Sequence, residues 1–237
     1  MSSFTTDPND VRTLWDRAAT TRWGSYLTDV EWRAIDRAQQ LAGPPGPALE
    51  VGTEGGRWSR KLTELGWSMT CTDVNPQTLA VCQDRVPSAK CILVQPGDTR
   101  IPVEDQSVQL VLCVEVPPVI HSDWFPSEAY RVLRPGGCLV GVQWNQRSPR
   151  GVFAHITAKL RRSEDYYHFA YTSWRDRQLL PAGFHMVHEE GFSWFPFRRF
   201  SNSGLIPYCI GLEETIGLRK LIGISPWIAF VCRSTRS

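Results

Sequence analysis

The sequence predicts an α/β protein built on a doubly wound, mostly parallel seven-stranded sheet, with an N-terminal helical cap and an inserted lid. Three observations carry that expectation. From Ala48 onward, short apolar runs alternate with helix-compatible stretches, the pattern of parallel strands joined by crossover helices. The first run ends in the turn Gly52-Thr53-Glu54-Gly55-Gly56, where glycine brings bare backbone and the N–H groups of a helix start close to a ligand. An acid, Asp73, closes the next apolar run 21 residues after Gly52, the distance at which a second parallel strand ends beside the first.

Composition narrows the class. With 237 residues and 42% hydrophobic content, the chain can bury a core as one domain. It divides into a helical cap (1–44), a core (45–144), a lid insertion with its helix (145–185), and C-terminal strands with a second insertion (186–237). A formal net charge of +2 offers no clustered cation field for nucleic acid. The seven cysteines are scattered without any C-x-x-C spacing, so neither a metal site nor a disulfide framework is expected. The start lacks a basic and apolar leader, and the longest apolar stretch, 108–120, carries Gln109, Glu115 and two prolines. The expectation is a soluble cytoplasmic protein without a membrane span, monomeric or homodimeric.

Taken in order, residues 9–41 read as two helices, the second opened by the capping-box spacing Thr28-Asp29-Val30-Glu31. Gly43-Pro44-Pro45-Gly46-Pro47 ends it and connects to the core. A strand at 48–52 leads to a helix at 57–65 stopped by Gly66. A strand follows at 68–73, and then a helix with Asn75 as N-cap and Pro76 as first helical residue. Strands at 91–95 and 108–114 come next, the latter nearly all apolar as a central strand should be. A helix at 124–133 runs into the turn Arg134-Pro135-Gly136-Gly137 and a strand at 138–144. Beyond it the pattern gives helices at 153–162, 174–180 and 212–221, and strands at 185–190 and 226–232.

A carboxylate at Asp73 can accept two hydrogen bonds from a ribose diol, or can cap the following helix. Two nucleoside ligands then compete. A dinucleotide needs a second glycine for its pyrophosphate, and Glu54 stands there instead, which would repel phosphate. S-Adenosyl-L-methionine carries a sulfonium cation and no phosphate, so an acid at this turn is tolerable.

Residues 48–141 resemble the class I S-adenosylmethionine-dependent methyltransferases, closest to the type 11, ubiquinone-biosynthesis-like small-molecule branch. Glu50, Gly52 and Gly56 match the family's first motif, with Glu54 in place of its middle glycine. Asp73 matches the acid after the second strand, and Gly97-Asp98 the pair before the fourth. Glu115-Val116 with His121, and Arg131-Val132-Leu133-Arg134-Pro135-Gly136-Gly137, are similar to two further signatures.

The resemblance implies a Rossmann-like fold and a cofactor site in the turn Glu50, Val51, Gly52, Thr53, Glu54 and Gly56. In it Glu50 and Gly52 would handle the methionine amino group and Asp73 the ribose. Val74 would lie on the adenine face, Asp98 and Thr99 at its edge, and Val114 and Glu115 toward the methyl donor. Trp23 and Tyr26 either close over the cofactor or bury against the core.

Methyl transfer from a sulfonium is an in-line displacement that needs positioning first and a base only when the acceptor must lose a proton. His121, His155 and His168 are candidate bases, each with a structural alternative, and Tyr166 and Tyr167 could orient an acceptor or simply pack. Phe153, Phe169, Tyr171, Trp194, Phe195, Phe197 and Phe200 could wall a flat acceptor or form the lid's own core. Arg147, Arg150, Arg161, Arg162, Arg198 and Arg199 could meet an acceptor anion or form a solvated face. The reading is methyl transfer from S-adenosyl-L-methionine to a small organic acceptor, at oxygen or nitrogen before carbon. The alternatives are a peptide or protein substrate, a cofactor-binding scaffold without turnover, which Glu54 favours, and, more distantly, a nicotinamide dehydrogenase.

Overall fold

The computed structural model describes residues 13–161 and 169–236. Seven strands form one sheet: β1 (Pro47–Val51), β2 (Ser68–Asp73), β3 (Lys90–Leu93), β4 (Val108–Val114), β5 (Leu133–Trp144), β6 (Phe184–Phe192) and β7 (Trp227–Ser234). Their spatial order is β3-β2-β1-β4-β5-β7-β6, and the first five run parallel. β7 is antiparallel to both β5 and β6, so the sheet is mostly parallel, as expected. Leu110, Val111, Leu112 and Cys113 of β4 are fully buried, which is why this strand lacks polar alternation.

Helices cover both faces: α1 (Leu14–Ala19), α2 (Arg22–Ala42), α3 (Arg57–Glu64), α4 (Pro76–Arg85), α5 (Pro117–Ile120), α6 (Phe125–Val132), α7 (Pro149–Arg161), α8 (Tyr171–Trp174) and α9 (Ile206–Thr215). On one face Leu27, Val30, Ala34 and Ala38 of α2 pack with Trp58 and Leu62 of α3 over Leu110, Leu112 and Val140. On the other, Phe125, Ala129 and Val132 of α6 join Tyr171 and Trp174 over Val111, Leu139 and Phe230. Each such aliphatic or aromatic side chain contributes about 1.5–3 kcal/mol on full burial. Among the described residues, no helix is long and apolar enough to cross a membrane.

Several boundaries differ from expectation for physical reasons. Thr28 to Glu31 lie inside α2 and cap nothing, because the preceding turn is itself helical and buries Trp23 and Tyr26. The cap of α2 is Thr21, whose hydroxyl accepts from the Gly24 N–H at 3.1 Å. The capping box belongs to α1, between Thr13 and Asp16. Strand β5 begins at Leu133, which pairs with Val108; Arg134 to Gly137 then bulge out of register before pairing with β4 resumes at Cys138. α8 continues as a π-helical turn from Arg175 to Leu179. α9 starts six residues before the expected 212, on Ile206-Pro207, with proline in its first turn where the missing N–H costs nothing.

Two polar side chains hold the connections in place. Arg131 donates to Glu128, to Asp105, and to the carbonyls of Ile101 and Val103 at 2.9 and 2.8 Å, tying the loop before β4 to α6. Gln109 donates to the Pro44 carbonyl at 3.4 Å and so holds the connector against the sheet.

Candidate functional site

Strand order reverses direction between β1 and β4, and the carboxyl ends of β1, β2 and β4 meet there, where ligands sit in open α/β sheets. After Glu50 the chain turns through Gly52 and Gly56, with φ of 69° and 70°. A Cβ at Gly52 would stand 2.5 Å from Val116 Cγ2, and one at Gly56 2.6 Å from Cys82 Sγ. Glycine is required here for both conformation and space.

The N–H groups of this turn are committed within the protein, against the expectation that they face a ligand. Those of Gly52 and Thr53 donate to the Thr72 carbonyl at 2.8 and 3.0 Å. Glu54 N–H donates to Asp73 Oδ2 at 2.7 Å. The other Asp73 oxygen accepts from Asn75 N–H at 2.9 Å. Asp73 therefore fastens the glycine turn to the end of β2 and starts the turn into α4, while each oxygen keeps a lone pair for a ligand.

Glu50 is buried at 4% exposure. Its Oε2 accepts from Thr53 Oγ1 and Ser59 N–H, both at 3.0 Å, and from Ser59 Oγ. Burial pushes the carboxyl up to about 7, against the pull of those donors. Glu54 adopts φ 50°, a left-handed conformation awkward for a glutamate, and burial pushes its carboxyl up while a hydrogen bond to Thr13 opposes the rise. Glu115, at the end of β4, has φ 56°. Non-glycine residues in this region cluster at functional sites.

Two cavities flank these residues. The smaller, about 60 Å³, is lined by Trp15, Glu50, Thr53, Glu54, Arg57 and Glu115 among others, including Gly52 and Val114. The larger, about 310 Å³, is walled by Val51, Val74, Pro96, Ile101, Val119 and Trp124, with Asp98 at its rim. Asp98 Oδ2 accepts from Gln95 N–H at 2.8 Å, which shapes the loop. Thr99 lines an adjoining open hollow that shares Gly97, Asp98, Arg100, Ile101 and Pro102 with the larger cavity, and is not itself on the larger cavity's wall.

The smaller cavity is backed by charge. Glu115 accepts from Arg199 Nη2 at 2.6 Å, and Glu31 of α2 from Arg57 Nη2 at 2.8 Å. Burial, then the charge of Glu115, pushes the Glu31 carboxyl far up. Arg199 lies 3.8 Å over the Trp15 ring. These four residues escaped the sequence reading as a group. Glu115 and Arg199 stood out only singly, 84 residues apart.

Trp23 and Tyr26 are not on the cavity. Trp23 is 1% exposed and packs between Tyr26 and Phe197, and the Tyr26 hydroxyl donates to Glu213. They face inward because α2 presents that stripe to the sheet, and Trp15 of α1 reaches the cavity instead. His121 stacks on Phe169 at 3.9 Å, nearly parallel, and lines neither cavity. His155 Nδ1 lies 3.3 Å from Gln146 Nε2 on the lid helix. Tyr166, Tyr167, His168 and Arg162 lie outside the described residues.

The aromatic wall divides. Phe169 and Tyr171 are buried in the second core, with the Tyr171 hydroxyl 2.8 Å from Glu189, whereas Phe153 is 70% exposed. Arg147 donates to the hydroxyls of Thr172 and Ser173 and so ties the start of the lid to α8.

A comparison of residues 49–141 with known families matches a methyltransferase domain. The strand order and the turn at Glu50 place that match on the site just described. Residues 49–141 thus carry a methyltransferase domain. An uncharacterized methyltransferase-like protein of Schizosaccharomyces pombe is 30% identical over 170 residues, covering 70% of this chain and 60% of that protein. A ubiquinone/menaquinone biosynthesis C-methyltransferase of Neisseria meningitidis is 28% identical over 67% of this chain and 56% of its own length. The chain thus spans a little over half the length of such curated relatives.

Among solved structures, a SAM-dependent methyltransferase of Methanosarcina mazei superposes with TM-score 0.61 at 13% identity, over 84% of this chain and 97% of that one. The [4+2]-cyclase SpnF superposes with TM-score 0.60 at 18% identity, over 97% of this chain and 86% of its own. At these identities the likeness shows the fold.

Proposed function

We propose that this methyltransferase moves a methyl group from S-adenosyl-L-methionine to a small organic acceptor. The observation that carries the reading is the pair of cavities at the carboxyl ends of β1, β2 and β4, with Asp73 bonded to Glu54 of the first and next in sequence to Thr72 and Val74 of the second. One is small and acid-lined, the other apolar with a polar rim.

The residues fit such a cofactor. A zwitterionic methionine end with a sulfonium suits a chamber holding Glu50, Glu54 and Glu115, where a pyrophosphate would be repelled. Glu50 would accept the cofactor's amino group, its carboxyl losing a proton as the cation arrives. Asp73 would hold the ribose diol on its remaining lone pairs. Val74, Ile101 and Trp124 would enclose the adenine, and Asp98 would meet its amino edge. When bound, the cofactor supplies an electrophilic methyl, and the protein's part is to orient an acceptor in line with it and exclude water. Val114 and Glu115 end β4 at that position, with Arg199 fixing the Glu115 carboxylate.

A specific observation favours aromatic acceptors and methylation at carbon over the oxygen or nitrogen expected from sequence. Relatives at 28–31% identity are named as a demethylmenaquinone methyltransferase, a 2-methyl-6-phytyl-1,4-hydroquinone methyltransferase and a ubiquinone/menaquinone biosynthesis C-methyltransferase, the last of which names carbon. The test is incubation with methyl-labelled cofactor and a panel of hydroquinones, phenols and amines, reading label transfer and S-adenosylhomocysteine. Label in a hydroquinone ring supports the carbon reading, and label on a phenol or amine supports the first. Cofactor binding without transfer to any acceptor would leave the scaffold alternative, for which the cyclase neighbour is a reminder that this fold serves other chemistry.

A further inference from the structure

The scattered cysteines do not stay scattered. Cys71 lies on β2, Cys82 on α4 and Cys91 on β3, so one strand-helix-strand unit supplies all three. Cys71 and Cys91 are direct register partners across the parallel pair β2–β3, which turns both side chains to the same face of the sheet. α4 crosses that face and brings Cys82 down between them. The three sulfur atoms lie within 4.8 Å of one another, with Cys82 Sγ and Cys91 Sγ 3.8 Å apart.

We infer that Cys71, Cys82 and Cys91 form a three-thiolate site for a soft metal ion of the Cu(I) class. A metal ion at the centre of three thiolates, with bonds of about 2.3 Å, needs its sulfurs about 4 Å apart. The cluster already has that size. Its donors are all thiols, the ligand type that selects Cu(I). Three sulfurs suit a three-coordinate Cu(I) ion, whereas a closed structural zinc site takes four protein ligands. Coordination forms three metal–sulfur bonds and releases the thiol protons to solvent, with no change of oxidation state.

Access is built in. β3 is the edge strand of the sheet, and Cys91 is only half-buried, whereas Cys71 and Cys82 are buried. An ion can therefore be handed in at Cys91 and drawn onto the inner pair. The inner pair also touches the glycine turn. Cys71 Sγ is 3.0 Å from Ser59 Oγ, and Cys82 Sγ 3.7 Å from Thr53 Oγ1, and both hydroxyls donate to Glu50. The site thus stands one hydrogen bond behind the acid chamber, and it stands independently of what that chamber binds.

The experiment is anaerobic titration of the reduced full-length protein with Cu(I) held by a coloured chelator, bathocuproine disulfonate, followed by X-ray absorption of the loaded protein. One equivalent taken per chain, with three sulfurs at about 2.3 Å, is the expected result. Cys91→Ser should weaken copper affinity roughly tenfold or more, with Cys82→Ala as the second variant if the first does not fold. Cys209→Ser, which alters a half-buried cysteine outside the cluster, should change neither stoichiometry nor affinity. Copper left wholly with the chelator, or kept undiminished by both cluster variants, or lost with Cys209→Ser, would overturn the assignment.

Discussion

Glu50 should make this protein less stable as pH rises through neutrality. Burial carries its carboxyl from an ordinary 4.5 up to about 7. Between those values the folded chain holds a proton that the unfolded chain has released, so unfolding is increasingly favoured as pH rises. At about 1.4 kcal/mol for each pH unit of difference, the loss is about 3 kcal/mol, most of it between pH 5 and pH 8. Stability from this group is therefore complete below about 4.5 and gone above about 7.

Glu50→Gln isolates the effect, because the amide oxygen still accepts from Thr53 and Ser59 and never ionises. Urea unfolding at pH 5 and pH 8 is the assay. Wild type and variant should be within about 1 kcal/mol at pH 5, and the variant should be more stable by about 3 kcal/mol at pH 8. Cofactor affinity should move oppositely, strengthening with pH in the wild type and staying weak and flat in the variant. Parallel pH dependences of stability in the two proteins would refute the argument.

The other predictions concern the same turn. Asp73→Asn should weaken S-adenosylmethionine binding tenfold or more by calorimetry and, by turning an NH2 group toward one of the two N–H donors, lower stability in urea unfolding; Asp73→Ala takes the acceptor from both the Glu54 and Asn75 N–H groups and should cost more, about 1–3 kcal/mol for each bond lost. Glu54→Gly relieves a left-handed glutamate and should raise stability by about 1 kcal/mol. It should also reduce affinity for the cationic cofactor several-fold, and unchanged affinity would remove Glu54 from the chamber.

Much of the sheet is legible in the sequence because its signals are local. β2 at 68–73 and β4 at 108–114 coincide with their apolar runs, and Asn75-Pro76 opens α4 through a side-chain cap on the Gln77 and Thr78 N–H groups. Glu50 and Asp73 are legible for the same reason, each standing at the end of a strand. The start of α2 is not, because the Thr28 capping spacing is overridden by burial of Trp23 and Tyr26 one turn earlier. The acid-arginine backing is not either. It pairs Glu31 with Arg57 and Glu115 with Arg199 across elements that only tertiary packing brings together. The cysteine cluster is hidden likewise, since strand register aligns Cys71 with Cys91 and no spacing rule encodes it.

The most direct test of the account is calorimetric titration of the purified protein with S-adenosylmethionine, S-adenosylhomocysteine and NADH. The account predicts one site per chain for the two sulfur nucleosides, with dissociation constants on the order of micromolar, about −8 kcal/mol, and no heat with NADH. Binding of NADH in preference to the sulfur nucleosides, or no binding of S-adenosylmethionine at pH 8, would contradict it.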